Sequence, residues 1–443
     1  MCIRDSYYQS QRADRYTQAV GQLLASGHAY RDYARPEELQ QEREAAEKRG
    51  ERFFYDRRWA ANTDEEATAY EAEGRPRTVR LKMPREGECV IQDLIRGEVR
   101  FEWAKEQDTV IQRPDGSCLY HLASVVDDAD FEITHVVRAE EHLSNTPRQI
   151  FIVEALGLSR PHYAHLPYVA EPSGSAKLSK RKLAKYQKNK DFAELLERGL
   201  EIADRCGIET EADTFNPVIV DFYREVGFCA EAVLNYLLLL GWSLDGERET
   251  FTTAEMIEQF SLERVNKAPA SFDPRKLVAF QARSFAAQPL QDRINATTPY
   301  ARSAGLLELA GSEATLAEVV KEANDRLTIA GDIIDYEYFF SDQYPIDETA
   351  FEKRIQQDES APTRLLGIAD RLEGLESYEV SNIEETIQAY CESQGIKLRA
   401  IIHALRVATT GRTAGFGMFE TLAILGQPKT VQRLRDAASL SAK

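Results

Sequence analysis

The chain of 443 residues lacks the features that would point to a metal, disulfide-linked or membrane protein. Its six cysteines form no CxxC pair and its seven histidines are scattered, so the sequence predicts neither a metal site nor a disulfide framework. The longest apolar run, Tyr236 to Leu240, is far shorter than the ~20 residues that cross a bilayer. The polar start, Met1 to Ser6, does not resemble a signal peptide. We therefore expect a soluble, cytoplasmic protein with no zinc and no membrane association.

The chain is acidic overall but carries one concentrated basic segment. Its formal net charge is -18, yet residues Lys177 to Lys190 include seven basic side chains and no acidic one. A lysine run is most often a solvated surface. In a nucleotide-binding fold the same run, preceded by Gly174, would suit a mobile loop in which Lys180 and Arg181 stabilise charge on a pyrophosphate leaving group. The acidic balance disfavours indiscriminate nucleic-acid binding but leaves a specific nucleic-acid partner open.

Helical and β-like patterns alternate in the first half of the chain. Apolar residues recur at helical spacing in Ser10–Gly27, and a second helix is predicted at Pro36–Gly50. Between Thr78 and Leu122, short β-like runs separated by turns indicate a small mixed α/β insertion. From Phe222 onward the pattern is helical almost to the end, including an amphipathic stretch at Ile387–Val407.

A strand followed by a capped helix predicts one unit of a doubly wound parallel sheet. The apolar run Ile133–Val137 suits a buried parallel strand. Thr146 and Gln149 predict a capping box with Pro147 at the first helical position, and the helix should end near Leu156. Ligands bind at the carboxyl edge of such a sheet. The residues expected at that edge are Arg138, Glu140, Glu141 and His142.

Three charged residues near this edge have both a functional and a structural interpretation. An arginine just past a strand can hold the carboxylate of an amino acid in bidentate fashion, but Arg138 is equally suited to pair with Glu140 or Asp127. Asp127 and Asp128 could suggest metal ligation or acid–base chemistry. Because adjacent carboxylates on a helix point in different directions, structural hydrogen bonding is the favoured interpretation of the two aspartates.

Five segments carry a family resemblance: YYQSQRADRY near the start, VVDDADFEITHVVRAEEHLSNTPRQI at Val125–Ile150, KLSKR at Lys177–Arg181, EAVLNYLLLLGWS at Glu231–Ser243 and ALRVATTGRTAGFGMFETLAILG at Ala404–Gly426. Together they resemble the bacterial-type glutamyl-tRNA synthetases, which are class I aminoacyl-tRNA synthetases. They occur in the family's order along almost the whole chain. The resemblance implies ATP-dependent activation of L-glutamate, with ATP as its Mg²⁺ complex, and transfer of glutamate to the 3′ end of its tRNA.

The resemblance also implies roles for individual residues in the catalytic core. KLSKR corresponds to the family's KMSKS loop, so Lys180 is expected to contact the ATP phosphates. Arg138 matches the arginine that holds the substrate carboxylate, and Tyr120 matches a residue that lines the glutamate pocket. Ser124 stands where many relatives carry asparagine, so its contact with glutamate is expected to differ. Residues expected to support Lys180 are Lys177, Ser179 and Arg181.

Binding of tRNA is expected to involve the C-terminal region. Glutaminyl-tRNA synthetases and the archaeal and eukaryotic glutamyl enzymes end in β-barrels, whereas residues 273–443 read as helical here. Arg406 and Arg412 are candidates for anticodon contacts, although either arginine could equally be a surface ion-pair partner. The implied partners are tRNA(Glu), L-glutamate and ATP, with tRNA(Gln) as a further candidate, and relatives suggest a monomer.

The implied fold is a partial doubly wound, Rossmann-type class I catalytic core with an α/β insertion, followed by an all-α anticodon-binding region. The first predicted domain, 1–27, is a remnant of the N-terminal catalytic half, in which 1–6 are extraneous. It is followed by an inserted acceptor-binding α/β domain at 28–118 and by the second half of the catalytic fold at 119–172. Residues 173–272 contain the KMSKS-type loop, a family-atypical insertion near 183–217 and a stem-contact region, and residues 273–443 form the anticodon-binding domain.

One departure from the family bears on activity. The sequence contains neither the HIGH motif nor the glycine-rich strand around it. We therefore expect an N-terminally truncated chain that does not complete an ATP site and is inactive by itself. A catalytically silent tRNA-binding protein and a glutaminyl-tRNA synthetase are the alternative hypotheses. An upstream open reading frame encoding HIGH would favour the enzyme, and a stop codon there would favour the silent binder.

Overall fold

A computed structural model describes residues 7–440 of the chain, and the predicted extraneous segment 1–6 lies outside the described residues. The contacts group the described chain into two compact units. The first unit comprises residues 7–169, 241–248 and 259–270, and the second comprises residues 170–240, 249–258 and 271–440. The finer domain boundaries inferred from the sequence remain predictions. Among the described residues, no helix has both the length and the apolar character needed to span a bilayer.

The first unit is a mixed α/β structure. Its helices are α1 (Ala13–Ala25), α2 (Pro36–Lys48), α3 (Asp64–Ala72), α4 (Tyr120–Asp130) and α5 (Thr146–Ala155). Its strands are β1 (Ala29–Asp32), β2 (Ala60–Ala61), β3 (Thr78–Leu81), β4 (Glu88–Asp93), β5 (Gly97–Glu102), β6 (Val110–Gln112), β7 (His135–Ala139) and β8 (His162–Leu166).

Helix α1 forms where the apolar periodicity predicts it. Tyr16, Val20 and Leu23 recur at helical spacing and are buried on one face. They share a core with Leu81 of β3, Ile111 of β6 and buried apolar residues of α4 and α5. Burial of this single face, rather than intrinsic helix propensity, is the main source of the stability of such a helix.

Two four-stranded sheets organise the first unit. One has the order β2-β1-β3-β6 with antiparallel neighbours, and the other has the order β5-β4-β8-β7. In the second sheet β4, β8 and β7 are parallel, while β5 is antiparallel to β4. The three parallel strands confirm a partial doubly wound core. Strand β7 is parallel as predicted, but the expectation that it is buried is wrong, because it is an edge strand on which His135 and Val137 are exposed.

Helix α5 ends near Leu156 as predicted, but it begins at Thr146, one residue before the predicted first helical position at Pro147, and it lacks the predicted cap. Pro147 lies in its first turn, yet no side chain caps its N-terminus. The hydroxyl of Thr146 instead accepts a hydrogen bond from Arg138 Nη2 at 2.7 Å. The capping box is therefore wrong, because a tertiary polar contact uses the oxygen that the local pattern assigned to the helix end.

The second unit is almost entirely helical, as predicted for residues 273–443. Two short strands, β9 (Val169–Ala170) and β10 (Ala270–Ser271), each cover a boundary between the two units along the chain, and they pair with each other. The helices are α6 (Leu183–Tyr186), α7 (Lys190–Cys206), α8 (Val220–Val226), α9 (Ala230–Leu239), α10 (Thr253–Gln259), α11 (Pro274–Ala286), α12 (Leu290–Ser303), α13 (Ser312–Ala323), α14 (Glu348–Phe351), α15 (Ala361–Glu373), α16 (Val380–Ser393), α17 (Ile402–Thr410), α18 (Met418–Leu425) and α19 (Gln427–Leu440).

The amphipathic stretch at Ile387–Val407 is two helices rather than one. Helix α16 ends before Gly395, whose φ of +63° is left-handed and stops an α-helix. Helix α17 begins at Ile402. Residues from both helices, including Ile387 and Val407, are buried in the same apolar cluster with residues of α15, α18 and α19, so burial is preserved across the break.

Candidate active site

Arg138 lies near the carboxyl end of β7, at the edge where a doubly wound sheet binds ligands. Its Nε donates to His165 Nε2 at 3.1 Å, and its Nη2 donates to Thr146 Oγ1 at 2.7 Å. Within residues 7–440, no carboxylate forms an ion pair with Arg138. The interpretation that Arg138 merely pairs with Glu140 or Asp127 is wrong, because Glu140 pairs with Arg96 and Asp127 is bound elsewhere.

His165 and Asp93 form a buried polar pair beside Arg138. His165 is fully buried, and its Nδ1 lies 2.6 Å from Asp93 Oδ2. Burial lowers the pKa of His165, and the charges of Arg138 and Arg96 lower it further against the opposing effect of Asp93. Burial would raise the pKa of Asp93, but hydrogen bonds from backbone N–H groups and from His165 outweigh it, so the pKa is lowered. Asp93 is thus ionised and His165 neutral at pH 7.

Tyr120 and Ser124 lie one turn apart on α4. Tyr120 is the first residue of the helix and is half exposed, at 50%. The Ser124 hydroxyl donates to the Tyr120 carbonyl at 2.8 Å and accepts from Gln149 Nε2 at 3.1 Å. Because Gln149 and Thr146 both belong to α5, this helix contacts both Ser124 and Arg138. The roles of Tyr120 and Ser124 in glutamate binding remain predictions.

Asp127 has the structural role that the sequence favoured. Its carboxylate accepts hydrogen bonds from Tyr16 Oη at 2.9 Å, Arg12 Nε at 2.7 Å and Gln9 Nε2 at 2.9 Å. Burial, together with the hydrogen bond to this carboxylate, raises the pKa of Tyr16 to about 12. Asp127 therefore joins α4 to α1. Asp128 has a different environment, since burial raises its pKa.

The basic segment follows β9 in the second unit. Lys177 bridges Ala170 in antiparallel fashion, and residues Lys180–Lys182 form a short 3-10 helix. The backbone N–H of Ser179 donates to Tyr186 Oη at 2.9 Å, which fixes the chain just before this turn. Lys180 and Arg181 are both exposed. The exposure and position of these residues suit contact with a phosphate group.

Glu171 neutralises part of the basic segment. This buried carboxylate is paired with Lys185 and lies 3.8 Å from Lys182 Nζ. The hydrogen bond from Lys185 lowers the pKa of Glu171. A Cβ on Gly174 would lie 2.8 Å from Glu171 Cγ, so glycine is the residue that lets the carboxylate pack there. Within the described residues, Lys180 and Arg181 form no ion pair, and they stay available for an external anion.

Arg406 and Arg412 lie on and just beyond α17. Arg406 is half-buried, and its Nη1 donates to the Phe416 carbonyl at 2.8 Å. Arg412 lies over the ring of Tyr338, with its Cζ 5.8 Å from the ring centroid. Neither arginine forms an ion pair with another residue of the described range 7–440. Contact with tRNA remains a prediction for each of them, and the geometry suits Arg412 better because Arg406 is engaged by the backbone.

Sequence reasoning missed the residues that support Arg138. Asp93 and His165 are 72 positions apart, and no local motif connects them. The only local signal for His165 was that β7, α5 and β8 follow one another as a strand–helix–strand unit. Such a unit places the carboxyl end of β8 beside the carboxyl end of β7. Within residues 7–440, no group of three histidine, cysteine, aspartate or glutamate side chains is arranged to hold a metal ion.

Two family models match the chain. The catalytic domain of class I tRNA synthetases (E and Q) matches residues 3–206 and 215–279, and an anticodon binding domain matches residues 290–438. The chain is 35% identical over 432 residues to glutamate–tRNA ligase 1 of Caldanaerobacter subterraneus subsp. tengcongensis, covering 97% of this chain and 82% of the relative. It is 36% identical over 434 residues to the glutamate–tRNA ligase of Halalkalibacterium halodurans, again covering 97% and 82%.

A solved structure extends this similarity to the fold. The crystal structure of a glutamate tRNA ligase from Elizabethkingia meningosepticum, in complex with its amino acid, superposes with a TM-score of 0.82 at 26% identity, covering 98% of this chain and 84% of that chain. The family matches and this superposition span the parallel strands that carry Arg138 and His165, the basic segment and the helical C-terminal region. The chain belongs to the glutamate and glutamine group of class I tRNA synthetases, alongside the bacterial glutamate–tRNA ligases.

Proposed function

We propose that the chain is a glutamate–tRNA ligase, which activates L-glutamate with ATP and transfers it to the 3′ end of tRNA(Glu). The observation that carries this proposal is Arg138, a half-buried arginine at the ligand edge of the parallel sheet whose contacts are neutral acceptors. An arginine oriented in this way presents charge that a substrate carboxylate can neutralise. Family membership supplies the identity of that substrate.

The reaction has two balanced steps. A carboxylate oxygen of glutamate attacks the α-phosphorus of ATP, the bond to the leaving pyrophosphate breaks, and glutamyl-adenylate forms. The terminal hydroxyl of tRNA then attacks the activated carbonyl, and AMP leaves. Arg138 binds a substrate carboxylate, and Tyr120 and Ser124 line the pocket. ATP enters as its Mg²⁺ complex.

The basic segment supports the first step by electrostatics. Negative charge builds on the pyrophosphate as it leaves, and fixed cations stabilise that charge more in the transition state than in the bound substrate. Lys180 is proposed to contact these phosphates, with Lys177, Ser179 and Arg181 supporting it. This assignment rests on the correspondence of KLSKR with the KMSKS loop and on the exposure of Lys180 and Arg181.

The same proposal extends to tRNA binding and to the domain boundaries. Residues 28–118 are proposed to bind the acceptor end, and residues 273–443 are proposed to read the anticodon, with Arg406 and Arg412 as contacts. The active chain is proposed to be a cytoplasmic monomer, and tRNA(Gln) is a further candidate substrate.

Attachment of glutamate to tRNA tests the proposal, measured with the chain extended at its N-terminus by a segment that carries the HIGH motif, because the 443-residue sequence contains none. Lys180→Ala is expected to lower the rate at least about tenfold, equivalent to ~1.4 kcal/mol of transition-state stabilisation. Lys188→Ala is the matched control, because Lys188 is an exposed lysine of the same basic segment. A loss below tenfold for Lys180→Ala, or an equal loss for the control, would contradict the role given to Lys180. Charging of tRNA with glutamine alone would contradict the proposed substrate.

A further inference from the structure

Three polar residues lie side by side at the carboxyl ends of three neighbouring parallel strands. Asp93 ends β4, His165 is the penultimate residue of β8, and Arg138 is the penultimate residue of β7. The strand order β4-β8-β7 places them in a row, and Arg138 and His165 are register partners. Hydrogen bonds join them in the same order, from Asp93 to His165 and from His165 to Arg138.

The positions of the protons in this row follow from the hydrogen-bond donors around Asp93. Its carboxylate accepts the backbone N–H groups of Ile95 at 3.0 Å, Arg96 at 2.8 Å and His165 at 3.1 Å. A carboxylate with these donors is an acceptor only, so the proton of the 2.6 Å contact belongs to His165 Nδ1. In a neutral imidazole the other nitrogen, Nε2, is then an acceptor.

Nε2 is the atom that receives the Arg138 Nε–H group. An imidazolium would place an N–H group against this guanidinium, so the neutral Nδ1–H tautomer suits the contact at 3.1 Å, and in that tautomer Nε2 can also accept the hydroxyl of Thr146, whose Oγ1 lies 3.1 Å away. Thr146 Oγ1 accepts a second hydrogen bond from Nη2. These two contacts occupy the Nε–H group and one N–H of Nη2. One N–H of Nη1 and the other N–H of Nη2 remain to bind a carboxylate in bidentate fashion.

We infer that Asp93 and His165 are positioning residues, which orient the Arg138 guanidinium for the carboxylate of the amino-acid substrate. This inference rests on the proposed function for the identity of that substrate. Asp93 fixes the tautomer and ring orientation of His165, and His165 fixes the rotation of Arg138 about its side chain. Neither residue contacts the substrate itself.

Two substitutions of His165 separate this role from simple packing. His165→Gln can keep an acceptor near the position of Nε2, and His165→Asn can keep a donor near the position of Nδ1. If His165 orients Arg138 through the acceptor at Nε2, His165→Gln should bind glutamate more tightly than His165→Asn. His162→Asn is the matched control, because His162 is an exposed histidine of the same strand.

The measurements are the Kd of the full chain for L-glutamate by calorimetry and, in the charging assay, KM for glutamate against KM for ATP and kcat. We expect His165→Asn to weaken glutamate binding about tenfold or more, the loss of one hydrogen bond to a charged group. KM for ATP should stay within about twofold, and His165→Gln should recover most of the glutamate affinity. The control should bind glutamate as the wild type does.

Nitrogen NMR of ¹⁵N-labelled histidine provides a readout that does not depend on activity. The wild-type spectrum should show His165 as the neutral Nδ1–H tautomer at pH 7, and Asp93→Asn should alter that signature. Three results would overturn the inference and leave the proposed function standing. They are equal glutamate affinity for wild type and His165→Asn, equal losses of glutamate affinity in the two His165 variants, and an Nε2–H tautomer of His165. A wild-type chain that binds no glutamate would overturn the proposed function and the substrate named here.

Discussion

Replacing Asp127 by asparagine is expected to weaken the attachment of α1 to α4. The carboxylate is 2% exposed and accepts hydrogen bonds from Tyr16, Arg12 and Gln9. Asparagine keeps one acceptor oxygen and loses the charge, so one charge-assisted bond is lost, which costs about 2 kcal/mol. Opening of the two helices should then be favoured about thirtyfold.

Hydrogen–deuterium exchange resolved by mass spectrometry measures this opening in peptides from α1 and α4. Local exchange is preferable to a global unfolding curve because the chain has two units. Asp128→Asn is the matched control on the same helix. Burial raises the pKa of Asp128, so its ionised form costs stability above the unfolded pKa, and removing the charge should be neutral or stabilising at pH 7. The reasoning would be refuted if Asp127→Asn accelerated hydrogen exchange in these peptides by less than about threefold, or if Asp128→Asn accelerated it equally.

Two further predictions concern a glycine and a carboxylate. Gly411 has a φ of +71°, and a Cβ there would lie 2.2 Å from the Pro345 carbonyl oxygen, so Gly411→Ala should destabilise α17 by about 3 kcal/mol or more in hydrogen exchange. Gly395→Ala, at φ +63° with open space around it, should cost only about 1 kcal/mol, and equal costs would contradict the steric argument. The lowered pKa of Asp93 means that its carboxylate contributes stability above the unfolded pKa of about 3.9, and this contribution is lost as pH falls through the folded pKa. The stability difference between wild type and Asp93→Asn, measured against pH by hydrogen exchange in peptides of β4 and β8, should therefore shrink below about pH 4, and a difference that is constant with pH would contradict this assignment.

Hydrogen-bond chemistry explains where local patterns failed. Thr146 followed by Gln149 is a helix-start pattern, but the Thr146 hydroxyl lies within reach of Arg138, and a charge-assisted bond at 2.7 Å uses that oxygen. The strand at Ile133–Val137 was expected to be buried because its residues are apolar. Apolar composition does not specify how many neighbours a strand has, and β7 has one in the described sheet.

The sequence was more informative about Asp127 and Arg138 than about their partners. The position of Asp127 on a helix indicated a structural carboxylate, and its hydrogen bonds to Tyr16 and Arg12 agree with that. The position of Arg138 after a strand indicated the ligand edge. Neither Tyr16, 111 positions from Asp127, nor His165, 27 positions from Arg138, could be identified as a partner from spacing.

By itself the sequence determined the helical C-terminal half, the amphipathic helix α1, the parallel strand and helix around Arg138, and the family. These features are encoded locally, because the period of apolar residues and short motifs such as KLSKR are complete within a few turns of chain. The tertiary structure alone decided the row from Asp93 through His165 to Arg138, the edge position of β7 and the partner of each buried charge. Such contacts depend on which distant strands and helices become neighbours, and that is settled only when the whole core packs.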